Sequence, residues 1–210
     1  MLAVAISPGC APDPPSAAVG IVVDSCDPGD DTGSGALVGP GLVLTSAHVV
    51  AGADAIRVVR DGQTRTAHVV AFDPEMDLAY LAVNGWDGTP WSVSSEGVEA
   101  GDTGVAYVMR DGGIAKIPVA VVRRVDIRTE DIYVEGETVR PGFELEASIE
   151  PGDSGGAVVI DGRIAGVVWA RSRQVDDRSY AIDADRGGAL IREQLHMGSI
   201  GDDIDPARCH

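Results

Sequence analysis

Three of the four Asp-Gly pairs, Asp61-Gly62, Asp111-Gly112 and Asp161-Gly162, each stand between two short apolar runs rich in β-branched residues. A two-residue hairpin turn of the favoured hand needs positive φ at both central positions, which Asp tolerates and Gly adopts freely. Each pair therefore predicts a tight β-hairpin. A chain folded on repeated hairpins builds antiparallel sheets rather than strands alternating with helices. Six such runs precede residue 84, at 19–25, 36–38, 42–45, 56–60, 65–72 and 78–83. That number fills one small closed barrel. Residues 84–101, with scattered Gly, Ser and Pro, read as a crossing. A second series follows at 105–109, 115–128, 131–135, 143–147, 157–160, 163–168 and 179–182. The expectation is an all-β chain of two antiparallel barrels, about 19–95 and 100–185. Residues 183–196 carry a mixed helical period and predict a short C-terminal helix, which ends the folded unit near 197. A polar tail at 198–210 follows.

Charge narrows the function classes. Against 33 acidic residues the chain has 16 Lys and Arg, a net charge of −17. No phosphate-neutralising patch is available at that balance, so nucleic acid and anionic membrane are excluded as expected partners. No apolar run approaches the length of a transmembrane helix. Residues 1–18 are read as a leader and Pro-rich linker. The short apolar run 1–7 leads into Pro8-Gly9-Cys10-Ala11, which reads either as the end of a bacterial lipoprotein signal, with Cys10 as candidate lipidation site and anchor, or as a plain leader. The other cysteines are Cys26 and Cys209, and no Cys-x-x-Cys pair exists. An odd count suggests one bridge and one cysteine with another fate. In an oxidising compartment Cys26–Cys209 would tie the first strand to the C-terminus.

Three motifs carry chemistry, in the order His, Asp, Ser. Leu44-Thr45-Ser46-Ala47-His48-Val49-Val50 ends a strand and begins a helical turn, which would project His48 toward a cleft. Asp77 opens the apolar strand Leu78-Ala79-Tyr80-Leu81, which would place its carboxylate at a dry barrel edge; Asp73 and Asp87 are its rivals. Pro151-Gly152-Asp153-Ser154-Gly155-Gly156 is the strongest signal. A serine that attacks a carbonyl needs a tight turn that exposes its Oγ and backbone N–H groups for the developing oxyanion, and flanking glycines permit that path.

Gly33-Ser34-Gly35, Thr45-Ser46-Ala47-His48, Asp77-Leu78-Ala79 and Gly152-Asp153-Ser154-Gly155-Gly156 together resemble the trypsin-like serine protease superfamily. The order His–Asp–Ser matches that fold and not the subtilisin or α/β-hydrolase orders. The segments around Gly33 and His48 look like the bacterial HtrA-like branch. Asp131-Ile132-Tyr133, Gly166-Val167-Val168-Trp169-Ala170 and Ser179-Tyr180-Ala181-Ile182 are similar to the protease domain of the actinobacterial MarP-like periplasmic group. The resemblance implies a chymotrypsin-like pair of six-stranded barrels and an exported serine endopeptidase, in the cell envelope, periplasm or outside the cell, that acts on proteins or peptides without cofactor or metal. It implies His48, Asp77 and Ser154 as catalytic triad and the N–H groups of Gly152 and Ser154 as oxyanion hole. It places Ser148 at the base of the substrate pocket and Trp169, Ala170 and Arg171 in its wall. Because Ser148 is uncharged, a small or medium uncharged side chain is expected at the cleavage site. Members pair a cysteine after the first strand with one near the C-terminus, which supports Cys26–Cys209. On this reading neither the multi-helix membrane domain of the one group nor the domain after the protease of the other is expected here.

Other signals carry less. Gly33-Ser34-Gly35 with Gly39 mimics a dinucleotide loop, but Pro40-Gly41 forbids the helix that motif requires. His68 falls within a strand, and His196 and His210 lack metal-ligand spacing. Trp86 and Trp91 are expected to pack at the crossing. Asp153 has no expected partner in a liberated N-terminus, since a leader precedes the first strand. The competing readings are a latent or inactive protease-fold binding module and an esterase using the same three residues.

Overall fold

The computed structural model describes residues 16–25, 32–86, 88–189 and 193. Cys10, Cys26 and Cys209 lie outside them, and with them the expected lipidation site and disulfide. Among the described residues, twelve strands form two closed antiparallel barrels of six. The first contains β1 (Ala18–Ser25), β2 (Thr32–Gly39), β3 (Leu42–Thr45), β4 (Ala53–Arg60), β5 (Gln63–Asp73) and β6 (Leu78–Val83). It runs β1-β2-β3-β6-β5-β4 and closes by pairing β1 with β4, Ile21 opposite Val58. The second contains β7 (Thr103–Arg110), β8 (Gly113–Glu130), β9 (Glu137–Glu146), β10 (Ala157–Ile160), β11 (Arg163–Arg171) and β12 (Arg178–Asp183). It closes by pairing β10 with β7, Ala157 opposite Tyr107.

The period of two along each strand separates the faces. In the first barrel Val19, Ile21 and Val23 of β1 point inward with Leu37, Val43, Val58, Val69 and Leu81. In the second the inner set is built on Ala106, Val108, Val121, Phe143, Leu145 and Val158. Fully burying each of the larger side chains contributes about 1.5–3 kcal/mol. A third cluster lies on the seam: Leu44, Ala71, Leu78 and Tyr80 of the first barrel meet Val167 and Ile182 of the second. The Asp-Gly turns have the backbone their hairpins demand, with φ of 48° and 73° at Asp61-Gly62, 50° and 78° at Asp111-Gly112, and 50° and 75° at Asp161-Gly162.

Two expected elements differ. Residues 131–135 are a turn, not a strand. The Asp131 carboxylate accepts from the N–H groups of Tyr133 (2.8 Å) and Glu135 (3.1 Å), and this local competition outweighs the strand preference of Ile132-Tyr133-Val134. Strand β9 accordingly begins only at Glu137. At the C-terminus the predicted helix over 183–196 begins later than expected: Asp183 ends β12, residues 184–188 form turns, and Ala189 and Glu193 are helical, while 190–192 and 194–196 lie outside the described residues. The one complete helix among the described residues is α1 (Ala47–Val50), a single turn between β3 and β4.

Candidate active site

Helix α1 carries His48 at the edge of the seam, its side chain 26% exposed. Buried Ala47, Val49 and Val50 anchor it to the first barrel. Asp77 occupies the residue before β6 with φ 56°, a left-handed conformation that Asp adopts more readily than most residues. That turn directs its carboxylate back at α1. Asp77 Oδ1 accepts from the His48 backbone N–H at 2.8 Å, and Oδ2 lies 2.8 Å from His48 Nδ1. Asp77 is 1% exposed. Burial pushes its carboxyl up, but the charge and ring hydrogen bond of His48, with the Arg140 guanidinium, outweigh it and hold the group below the ordinary carboxylate range. Of the rivals, Asp73 accepts instead from the N–H groups of Glu75 and Met76, and Asp87 lies outside the described residues.

Ser154 is brought to the same seam by an independent set of bonds. Glu150-Pro151-Gly152-Asp153 is a β-turn closed by Asp153 N–H to Glu150 O at 3.1 Å, with Gly152 at φ 94°. Pro followed by a positive-φ Gly marks type II, in which the central peptide is flipped relative to type I. Among the described residues, neither the Gly152 nor the Ser154 N–H donates to a protein group. Ser34 of β2 fastens this turn to the first barrel. Its N–H donates to Ser154 O (2.8 Å), its Oγ donates to Gly152 O (3.2 Å) and accepts from Met109 N–H (2.9 Å), and its carbonyl accepts from Thr45 Oγ1 (2.7 Å). Gly155, at φ 84°, has no room for a side chain: a Cβ there would fall on Ser34 O and Thr45 Oγ1. The Ser154 turn thus lies against Thr45-Ser46, just ahead of His48 in the chain.

Sequence reasoning missed two cations. Arg110, at the end of β7, forks onto fully buried Asp153, with Nε 2.9 Å from Oδ1 and a second bond to Oδ2, and donates to Ser148 O at 3.0 Å. Asp153 Oδ2 in turn accepts from Glu150 N–H at 2.7 Å, so this ion pair braces the turn before Ser154. Arg140 lies behind Asp77 and is 2% exposed. Arg140 falls on the outward face of β9, opposite to Phe143 and Leu145, and is buried only where the first barrel covers it, so no local pattern in the sequence marked it.

A cleft of about 310 Å³ opens beside the Ser154 turn, lined by Ser148, Glu150, Arg171, Asp176, Asp177 and Arg178 among others. Of the residues expected at a substrate pocket, Ser148 and Arg171 line this cleft. Trp169 and Ala170 do not line this cleft: the Trp169 ring covers the Arg140 guanidinium at 5.2 Å and packs on the seam cluster. A bulge between Val168 and Ala170 changes the alternation of β11 there. No cluster of metal-ligating side chains occurs among the described residues.

Residues 33–167 match the trypsin-like peptidase domain. The chain belongs to that family. Its relatives within the family include the serine protease Rv3671c of Mycobacterium tuberculosis (strain ATCC 25618 / H37Rv), 32% identical over 148 residues, which are 69% of this chain and 37% of the relative. A probable periplasmic serine endoprotease DegP-like of Halomonas elongata is 31% identical over 178 residues, 80% of this chain and 36% of the relative. Further peptidase relatives bear HtrA and Do-like protease names. The chain thus spans well under half the length of these relatives. The crystal structure of Rv3671c in its active form superposes with a TM-score of 0.84 at 25% identity, over 92% of this chain and 86% of that one. Its inactive form gives 0.71 at 27% identity, over 89% of each chain. The resemblance read from the sequence stands, and with it the chymotrypsin-like fold.

Proposed function

We propose that this chain is a serine endopeptidase that hydrolyses peptide bonds through an acyl-enzyme, with His48, Asp77 and Ser154 as its triad. The observation that carries the reading is the two-point hold of Asp77 on His48. One carboxylate oxygen fixes the backbone N–H and the other fixes Nδ1, so that Nε2 is the nitrogen that takes the serine proton. Ser154 Oγ attacks the substrate carbonyl, His48 accepts its proton and then delivers it to the leaving amine, and water releases the acyl group by the reverse path. The Gly152 and Ser154 N–H groups hold the oxyanion. The type II turn supports this, since it leaves both donors without a protein acceptor. The higher TM-score against the active form of Rv3671c supports a competent site.

The substrates are proteins or peptides, by the names of the relatives. Action in the cell envelope or outside the cell is supported by the word periplasmic in one of those names. Among the described residues no helix is long and apolar enough to cross a membrane.

The test is covalent. A fluorophosphonate probe should label Ser154, mapped by mass spectrometry, and Ser154→Ala should abolish the label. Folded protein that resists the probe would sink the active reading and favour the binding module.

A further inference from the structure

Arg140 is a buried cation in the one place where its charge bears on the site. Burying a guanidinium is strongly unfavourable unless its donors and its charge are both matched. The donors reach the loop of the first barrel that carries Asp77, and the end of β8. Nε donates to Glu75 O at 2.6 Å, and one terminal nitrogen lies 3.3 Å from both Pro74 O and Glu130 O. The other terminal nitrogen is 4.0 Å from Asp77 Oδ2, the oxygen that faces His48 Nδ1. Trp169 caps the guanidinium and keeps water from it. The charged groups around it are Asp77, Asp73 and Asp131, with His48 beyond Asp77. Neutral donors could have satisfied the three carbonyls, but only a cation answers the Asp77 carboxylate.

We propose that Arg140 is a positioning residue of the triad: a built-in counter-cation that, acting through Asp77, limits how tightly His48 holds a proton. The inference rests on the functional reading above. A buried carboxylate with no countercharge would favour the imidazolium, and a ring already protonated cannot accept from Ser154. Arg140 offsets part of that pull while still allowing Asp77 to orient the ring. The low polarity of the seam lets the charge act across the pair.

The experiment titrates the His48 ring by NMR in the full chain, for wild type, Arg140→Met, Arg140→Gln and Arg140→Lys. The pH dependence of fluorophosphonate labelling is measured alongside. Removing the charge should raise the His48 pKa by about one unit and move the acid limb of labelling upward by the same amount. Arg140→Lys should titrate close to wild type. A folded neutral variant that titrates at or below the wild-type value overturns the proposal. So does a Lys variant that moves as far as the neutral ones, since the role would then be structural only. If neither neutral variant folds, the Lys variant decides, and a displaced titration counts against the proposal. Wild type that goes unlabelled at Ser154 defeats the functional reading, while the titration still judges the coupling of Arg140 to His48.

Discussion

Asp77 combines several demands in one position: positive φ, near-complete burial, and a carboxylate divided between a backbone N–H and a ring nitrogen. Asn could keep much of the shape but not the charge, and its amide would favour the wrong imidazole tautomer. Asp77→Asn should lower kcat for peptide hydrolysis by about 10⁴-fold, read against wild type on one substrate. The same group sets a pH limit on stability. Its native pKa is depressed, so its contribution is fully present above the unfolded value near pH 4 and is lost as pH falls through the native value. Denaturant unfolding at pH 5 and pH 3 should therefore show wild type losing more stability than Asp77→Asn over that interval; equal losses would mean that Asp77 does not titrate with folding. In the sequence, Asp77 could be chosen over Asp73 because it leads directly into an apolar strand. Arg140 could not be paired with it, since their contact spans 63 positions of chain and no local pattern encodes it.

At the scale of elements, hairpins were legible and irregular turns were less so. The three hairpin Asp-Gly pairs adopt the positive φ that their turns demand. Residues 131–135 read as strand by composition, yet one carboxylate collecting backbone N–H groups made them a turn. The Ser154 turn is a mixed case. Its glycines announced the tight path, but its brace is Arg110, 43 positions earlier on β7. Arg110→Ala would leave Asp153 as a buried carboxylate without a countercharge, a loss of about 3–5 kcal/mol. We expect a lower melting temperature together with loss of labelling at Ser154, and partial recovery of both in Arg110→Lys. Full labelling of the Ala variant would show that the turn holds without the pair.

For the whole molecule, the sequence supplied the number of barrels and the sign of the surface, while the face each barrel presents to the other had to come from packing. Leu44, Tyr80 and Ile182 fall on outward faces of their own barrels, and become core only because the two meet. The net charge of −17 opposes that compaction through self-repulsion, which salt screens. The melting temperature should rise as NaCl is increased from low concentration to about 0.5 M. A falling curve would mean that screening of ion pairs such as Arg57–Asp24 outweighs relief of repulsion.

Ser34 gives the molecule a sense of order in time. It belongs to the second strand of the first barrel, yet its N–H and hydroxyl tie down the Ser154 turn made more than a hundred residues later. A ribosome or export channel that has released only the first half has delivered His48 and Asp77 with nothing to activate; one that has just released the second half has delivered a serine on an untethered loop. On the proposed reading, cleavage begins only when the halves lock together, and the chain is harmless to its neighbours, and to itself, while it is being made.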